Sequence, residues 1–223
     1  MRTIAILPVK RFGQAKQRLG DRVAPAARVA LAEAMVSDVL AALRLVRGLD
    51  AVVVVTGEPR AVALAAAGNA EVVEDKRDLG QSHAAVLGVT RAVELKAARV
   101  LLVPGDCPAL DPAEVDALLA DSPGAPSVTV VPDRHGTGTN ALVLAPARIM
   151  DPAFGPGSCA RHRLAAEAAG GAVRVREVRT LGLDVDTPDD LDALRRALNE
   201  HPDGALATRA ALERLLRDGA VAV

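Results

Sequence analysis

The sequence predicts an α/β fold in which helices cover both faces of a mostly parallel sheet. Short apolar runs alternate along the chain with segments of helical periodicity, the pattern of strands joined by crossover helices. One run, residues 100–103, contains only Val and Leu, which is typical of a strand buried on both faces. The 223 residues include no Ser/Gly-rich linker, so we expect a single domain, residues 1–223, in which 199–223 form a C-terminal surface helix or tail.

Strands are predicted where a short run rich in Val, Ile and Leu ends at a Gly, a Pro or a charged residue. In chain order these runs are residues 3–7, 52–55, 71–74, 100–103, 127–131, 141–144 and 173–178. Residues 183–186 are predicted to be extended and to close the α/β pattern.

Helices are predicted where apolar residues recur at helical spacing, as Leu31, Met35, Val39 and Leu43 do in the first of them. Pro25 is accepted there because it falls in the first turn. The predicted helices are residues 25–46, 60–67, a segment beginning near 81, 112–119, 159–169, 188–198 and 208–216. The last helix is interpreted as a surface element or a homodimer contact.

The composition excludes several kinds of partner. Only 1% of the residues are aromatic and the net charge is −1, so neither a base-stacking surface nor a field that attracts a polyanion is expected, and no nucleic acid is predicted as a partner. No apolar run has the length of a membrane span, and the apolar stretch at the start of the chain is too short for the apolar segment of a signal peptide. Cys107 and Cys159 lack metal-type spacing, which favours free thiols and a cytoplasmic location. A nucleophilic role for Cys107 is disfavoured because no His is near it in sequence.

Three aspartates are the candidate metal ligands. Pro104 and Gly105 end the apolar run, and Asp106 follows at the place where open α/β sheets bind ligands. In an extended segment Asp184 and Asp186 point to the same face. Together these carboxylates predict a Mg²⁺ site of the kind that holds substrate phosphates. The alternative is that Asp106 merely caps the helix that begins near residue 111.

A basic loop follows the first predicted strand and contains Lys10, Arg11, Lys16 and Arg18. Cations on a loop at the carboxyl end of a strand suit a triphosphate, and Gly13 permits a close approach of the backbone. A solvated basic loop is the alternative. The chain has neither a Walker A sequence nor a Gly-x-Gly-x-x-Gly fingerprint, which disfavours P-loop NTPases and dinucleotide-binding dehydrogenases.

Three further segments are predicted to contact a ligand. Gln81, Ser82 and His83 begin a helix, where they either read the edge of a nucleobase or cap the helix. Residues 133–140 are predicted to bind an anion through backbone amides and hydroxyls, with an ordinary Gly-rich turn as the alternative. In a second turn, residues 154–158, Ser158 is placed to cap a helix whose positive end favours an anion. Thr139, Gly155 and Ser158 are thus predicted to bind an anion together.

The chain resembles a known family over most of its length. The similar segments are residues 7–10, 15–16, 18–19, 104–106, 133–140, 154–158 and 183–188. They resemble the CofC/FbiD guanylyltransferases of coenzyme F-420 biosynthesis, which are related to the molybdenum-cofactor guanylyltransferases and the sugar-nucleotide transferases. Two positions depart from the family pattern: Gln17 stands where Ser is common, and 82–85 differ from the expected Leu-Asn-x-Ala.

The resemblance implies a Rossmann-like (GT-A-like) nucleotidyltransferase fold with three layers. It also implies a Mg²⁺-dependent transfer of GMP from GTP to the phosphate of phosphoenolpyruvate or 2-phospho-L-lactate, two small three-carbon acids. The Ala-, Arg- and Val-rich composition looks like that of an actinobacterium, where the resemblance points to phosphoenolpyruvate. The alternatives are a molybdenum-cofactor or sugar-phosphate nucleotidyltransferase and, from another class, a catalytically dead nucleotide-binding regulatory protein.

Site roles follow from the resemblance and from the patterns above. Asp106, Lys10 and Lys16 are predicted to be catalytic, and Asp106, Asp184 and Asp186 to bind the metal. Thr139, Gly155 and Ser158 are predicted to form the acceptor pocket. The predicted nucleotide-binding residues are Leu7, Pro8, Lys10, Lys16, Arg18, Gln81, Ser82 and His83.

Overall fold

A seven-stranded sheet lies at the centre of the computed structural model, which describes residues 1–200 and 203–217. Its strands are β1 Thr3–Val9, β2 Ala51–Thr56, β3 Glu71–Glu74, β4 Arg99–Leu102, β5 Ser127–Pro132, β6 Thr139–Ala145 and β7 Ala172–Val175. They are ordered β3-β2-β1-β4-β6-β5-β7. In this register Ile6 of β1 pairs with Val53 of β2 and Leu102 of β4. Only β6 runs against its neighbours, so the predicted mostly parallel sheet is confirmed.

Helices connect the strands and cover both faces of the sheet. They are α1 Pro25–Leu43, α2 Pro59–Ala67, α3 Gln81–Glu94, α4 Pro112–Ala120, α5 Ser158–Ala168, α6 Pro188–Glu200 and α7 Leu206–Arg217, with 3₁₀ turns at Phe12–Gln14 and Gln17–Arg22. Each predicted helix is present. None of the helices in the described part of the chain combines the length and apolar character needed to cross a membrane.

The core has one layer on each side of the sheet because side chains alternate along the strands. Ala5 and Leu7 of β1 pack with α1, α2 and α4, whereas Ile4 and Ile6 pack with α3 and α5 on the other face. Helix α3 lies very close to β1: a Cβ on Gly88 would be 2.2 Å from Cγ2 of Ile6. The glycine is therefore required for the helix-to-sheet distance, and the three-layer arrangement is confirmed.

A third apolar cluster lies among α1, α6 and α7. Leu212 and Leu215 of α7 are buried in this cluster, whereas Leu206 and Leu216 are exposed, so α7 is an amphipathic helix at the surface that packs against α1. Asp38 of α1 accepts hydrogen bonds from the amides of Ala207 (3.1 Å) and Thr208 (2.7 Å) at the start of α7. Parts of the predicted tail, residues 201–202 and 218–223, lie outside the described residues.

Other differences are local. The strand predicted over 173–178 ends at Val175, and the segment 183–186 forms no ladder with the sheet. The basic loop after β1 is folded into two 3₁₀ turns, and the side chain of Phe12 holds it by packing into the core. Because β6 is antiparallel, its first residues lie at the same edge of the sheet as the carboxyl ends of β1 and β4.

Candidate active site

A cavity of about 720 Å³ opens at the edge of the sheet where β1 and β4 end and β6 begins. This volume falls within the usual range for small-molecule sites. Its walls are the basic loop after β1, the first turn of α3, the turn at Asp106, the loop before β6, the turn before α5 and the segment before α6. Most of the predicted site residues line it: Pro8, Lys10, Lys16, Arg18, Gln81, Asp106, Thr139, Gly155, Ser158, Asp184 and Asp186.

The buried ammonium of Lys16 connects two of the predicted metal ligands. The Lys16 side chain is 6% exposed; its Nζ forms a short ion pair with Asp106 and lies 3.2 Å from Oδ1 of Asp186. Lys16 itself has a left-handed backbone, with φ of 58°. Burial alone would lower the pKa of Lys16, but the charges of Asp106 and Asp186 outweigh it and the pKa is raised. The ammonium is therefore held in its charged form beside both acids.

Asp184 is the carboxylate that burial affects most. Burial and the negative charge of Asp106 raise its pKa from the ordinary value of 3.8 to about 6. Its Oδ1 accepts a hydrogen bond of 3.0 Å from Nδ2 of Asn140, whose amide also donates to the carbonyl of Leu181. The three aspartates therefore repel one another within one cavity. A bound cation would reduce this repulsion.

Backbone and capping hydrogen bonds fix the segment that carries Asp184 and Asp186. The amide of Val185 donates to the carbonyl of Asp106, which joins this segment to the turn after β4. Asp190 accepts from the amides of Asp186 (3.1 Å) and Thr187 (2.7 Å), while Thr187 Oγ1 accepts from the Asp190 amide, so the two residues form a capping box at the start of α6. Asp190 thus stabilises the first turn of this helix.

The three aspartates do not form an assembled metal site as they stand. Among the side chains that the structure describes, no group of three or more His, Cys, Asp or Glu is arranged to hold a metal ion. The physical reason is that Lys16 lies between Asp106 and Asp186, while Asn140 binds Asp184. The donor set itself fits Mg²⁺, which prefers hard carboxylate oxygens and keeps several of its waters.

The other cations of the basic loop are more exposed. Lys10 lines the cavity with an exposed side chain, and the Arg18 side chain is 76% exposed with Nη1 3.8 Å from Oδ2 of Asp186. Both can reach an anion in the cavity. Leu7, in contrast, is fully buried in the core beneath the loop and does not line the cavity, so its predicted contact with the nucleotide is wrong for the side chain.

The loop before β6 differs from its prediction as an anion site. The carboxylate of Asp133 accepts hydrogen bonds from the amides of His135, Thr137 and Gly138, at 2.9 to 3.2 Å. A Cβ on Gly138 would be 2.5 Å from Oδ2 of Asp133, so the glycine allows the carboxylate to approach. These amides are therefore used within the loop. What remains for a ligand is side chains that line the cavity, among them the hydroxyls of Thr137 and Thr139.

The turn before α5 has uncommitted polar groups. Gly157, in a left-handed conformation, is the N-cap of α5, and Ser158 is the first helical residue, which corrects its predicted role as the cap. Within the described chain, Oγ of Ser158 is buried without a hydrogen-bond partner, and the amide of Gly155 has none either. A buried hydroxyl without a partner is unfavourable unless a ligand supplies one.

The first turn of α3 contributes less to the cavity than predicted. Gln81 lines it, but Ser82 and His83 do not. Oγ of Ser82 accepts a hydrogen bond of 2.9 Å from the amide of Phe154, so Ser82 holds the turn before α5 instead of reading a base. The helix begins after Gly80 without a side-chain cap, which also removes the predicted capping role.

Sequence reasoning missed three residues at this site. Asp75 and Asp78 line the cavity between β3 and α3, and Oδ2 of Asp78 is buried without a partner. Their position just after a parallel strand was the available signal. His162 was also missed, because its spacing within α5 resembles that of a core residue; it contacts Thr139 and the Ala153 amide.

Cys107 is not a nucleophile in this geometry. Its thiol is fully buried and donates to the carbonyl of Leu181, 3.4 Å away. Burial first, and then the neighbouring charge of Asp106, raise the pKa of the thiol well above its ordinary value, so it stays protonated.

Comparison with known proteins identifies the family. The family model described as "Guanylyl transferase CofC like" matches residues 3–199. The chain belongs to this family. A phosphoenolpyruvate guanylyltransferase from Conexibacter woesei is 51% identical over 97% of this chain and 98% of its own length. A second protein of that name, from Sphaerobacter thermophilus, is 39% identical over 87% of this chain and 93% of its own length.

Solved structures agree with this CofC-like family at the level of the fold. A nucleotidyl transferase from Methanothermobacter superposes with a TM-score of 0.63 at 18% identity, covering 90% of this chain and 99% of its own. CMP:2-keto-3-deoxy-manno-octonic acid synthetase, solved with CTP, gives a TM-score of 0.59 at 17% identity over 90% of this chain and 99% of its own. The resemblance and the nucleotidyltransferase fold predicted from the sequence are thereby confirmed.

Proposed function

We propose that the chain transfers GMP from GTP to the phosphate of phosphoenolpyruvate and releases pyrophosphate, in the biosynthesis of coenzyme F-420. The observation that carries the proposal is that two sets of groups line one cavity. Lys16 with Asp106 and Asp186 is one set, and the hydroxyls of Thr139 and Ser158 are the other; we assign them as the nucleotide half and the acceptor half of the site. The names of the relatives from Conexibacter and Sphaerobacter support this choice of substrates.

The reaction exchanges one phosphorus–oxygen bond for another. A phosphate oxygen of the acceptor bonds to the α-phosphorus of GTP, and the bond from that phosphorus to the oxygen bridging the β-phosphorus breaks. Pyrophosphate leaves with the electron pair of the broken bond. No covalent enzyme intermediate is needed, so the protein contributes position and charge neutralisation. The protonated, buried thiol of Cys107 agrees with a direct transfer.

Asp106, Asp184 and Asp186 would hold Mg²⁺, which supplies charge neutralisation to the phosphates when bound. The raised pKa of Asp184 supports a cation at this place, because a positive charge relieves the repulsion among the three acids. Lys16 neutralises Asp106 and Asp186 in the structure. It is the buried cation of the cavity, and we assign it to the phosphates of GTP together with the exposed Lys10 and Arg18.

The acceptor half is assigned from hydrogen-bond donors that are not used within the described part of the protein. Phosphoenolpyruvate carries a phosphate and a carboxylate, and both need hydrogen-bond donors without bulk. The Ser158 hydroxyl, the Thr139 hydroxyl and the Gly155 amide meet that need at the start of α5, where the helix dipole also favours an anion.

The alternatives receive less support. A molybdenum-cofactor or sugar-phosphate nucleotidyltransferase would share the fold and the acids, but the curated relatives with substantial identity are named for phosphoenolpyruvate. A dead regulatory protein would not need the buried lysine between two acids. We also propose that the enzyme acts in the cytoplasm, in agreement with its two free, buried cysteines.

The test is pyrophosphate release from GTP and Mg²⁺ with phosphoenolpyruvate, 2-phospho-L-lactate or 3-phosphoglycerate, with the product mass measured in each case. We expect release with phosphoenolpyruvate, a product containing GMP and the acceptor, and no release after addition of EDTA. A preference for 2-phospho-L-lactate would make that acid the acceptor in place of phosphoenolpyruvate. No release with any acceptor would support the alternative of a catalytically dead regulatory protein. The matched control is Asp116→Asn, which removes a carboxylate of α4 that does not line the cavity and that accepts from Arg47 and the amide of Gly48.

A further inference from the structure

His162 lies behind the acceptor half of the cavity and joins two of its walls. The residue is fully buried on α5. Its Nδ1 is 3.0 Å from Oγ1 of Thr139, and the backbone amide of Ala153 donates to its Nε2 over 2.8 Å. The ring also meets Phe154 edge-on, with 5.2 Å between the ring centroids.

These contacts decide which ring nitrogen carries the proton. A backbone amide can only donate, so Nε2 must present its lone pair to Ala153. A doubly protonated ring could not accept this bond, and burial, followed by the charge of Arg161, lowers the pKa of His162 to about 4. The ring is thus neutral with its hydrogen on Nδ1, and Nδ1–H donates to Oγ1 of Thr139.

This direction has a consequence for the Thr139 hydroxyl. Its oxygen accepts from His162, so its own hydrogen must go elsewhere. In the described part of the chain no protein acceptor takes that hydrogen, and Thr139 lines the cavity. The hydroxyl can then present this hydrogen to a ligand in the cavity, which suits an anion.

We infer that His162 is a positioning residue that orients the Thr139 hydroxyl and leaves its hydrogen available to the anionic acceptor. The inference rests on the proposed function, since that function places an anion beside Thr139. It explains why a histidine lies fully buried behind the pocket, and why the first residue of β6 and the turn before α5 meet at one ring.

The first test is spectroscopic and does not need turnover. In ¹⁵N-labelled protein, the tautomer is measured from the long-range couplings between the ring nitrogens and the hydrogens bonded to the ring carbons. We expect His162 with Nδ1 protonated, and its resonances should shift when phosphoenolpyruvate or inorganic phosphate is added. Protonation at Nε2, or a ring that neither anion affects, would overturn the inference. A ring that responds to phosphate in an enzyme without turnover would overturn the proposed function and leave this inference standing.

The second test separates positioning from general stability. His162→Asn can place an amide N–H near the position of Nδ1, whereas His162→Gln places its amide nearer to Nε2. We expect His162→Gln to raise the KM for phosphoenolpyruvate roughly tenfold with the KM for GTP unchanged, and His162→Asn to recover most of the loss. In a Thr139→Val background, His162→Gln should add nothing. Equal increases in both KM values, or an undiminished effect in that background, would make His162 a structural residue only.

Discussion

Replacing Asp184 by Asn should stabilise the metal-free protein near neutral pH while it impairs transfer. The side chain changes little in shape, and its amide oxygen can still accept from Asn140, which donates to Oδ1 of Asp184 at 3.0 Å. What the substitution removes is a negative charge that burial and Asp106 disfavour. The stability and the activity should therefore change in opposite directions.

The magnitude follows from the pKa of Asp184. A rise from 3.8 to about 6 corresponds to at most about 3 kcal/mol between the two protonation states. Because the side chain is partly open to solvent, we expect about 1–2 kcal/mol. The folded state binds this proton more tightly than the unfolded state, so the contribution to stability is full below about pH 3.8 and is lost as the pH rises through about 6. The advantage of the variant should appear in the same window.

Urea unfolding in EDTA, at about pH 4 and about pH 7.5, measures this difference. We expect the two proteins to be nearly equal at the lower pH and Asp184→Asn to be more stable at the higher one. The matched control is Asp186→Asn, which removes an acid 3.2 Å from the buried Lys16 ammonium and should destabilise near neutral pH. If Asp184→Asn lowers stability at about pH 7.5, or if its effect does not depend on pH, the reasoning from burial is refuted.

Three other substitutions test the halves of the cavity. Asp106→Asn should reduce kcat/KM by roughly a hundredfold or more at saturating Mg²⁺ with the circular dichroism spectrum unchanged; unaltered activity would remove Asp106 from the mechanism. Ser158→Ala should raise the KM of the acceptor about tenfold and leave that of GTP nearly unchanged; the reverse pattern would mean that the two halves are exchanged. Ser82→Ala should behave like Ser158→Ala, because Ser82 holds the amide of Phe154, and should not alter the preference for GTP over ATP. A changed kcat/KM ratio for the two nucleotides would restore Ser82 as a base-reading residue.

Much of the fold was predictable because each strand carries its own local signal. The apolar run at 100–103 requires burial on both faces, and Pro104 and Gly105 end it wherever the rest of the chain lies. The aspartates also carried local signals: Asp106 follows a buried strand, and Asp184 and Asp186 alternate along a predicted extended segment. These signals depend on a few neighbouring residues only.

The direction of β6 and the packing of α7 were not predictable, because both depend on distant partners. A buried strand has the same apolar sequence pattern whether its neighbours are parallel or antiparallel. Strand β6 is antiparallel to β4 and β5. The apolar face of α7 could equally have met a second protomer, but it meets α1, and Asp38 accepts from its first amides. No pattern within residues 206–217 distinguishes these outcomes.

The Gly-rich loop before β6 shows why composition misassigned its donors. Glycines permit a backbone to surround an anion, but they do not identify the anion. Here Asp133 is that anion, so the amides of Thr137 and Gly138 are occupied before a substrate arrives. Side chains of the loop are then the groups that can bind a ligand, and one of them, the hydroxyl of Thr139, contacts His162 of another element. Because the Cys159 amide also donates to the carbonyl of Thr137, the loop and the turn before α5 form one hydrogen-bonded wall. The acceptor half is therefore formed by two segments held together, and it could not be predicted from either segment alone.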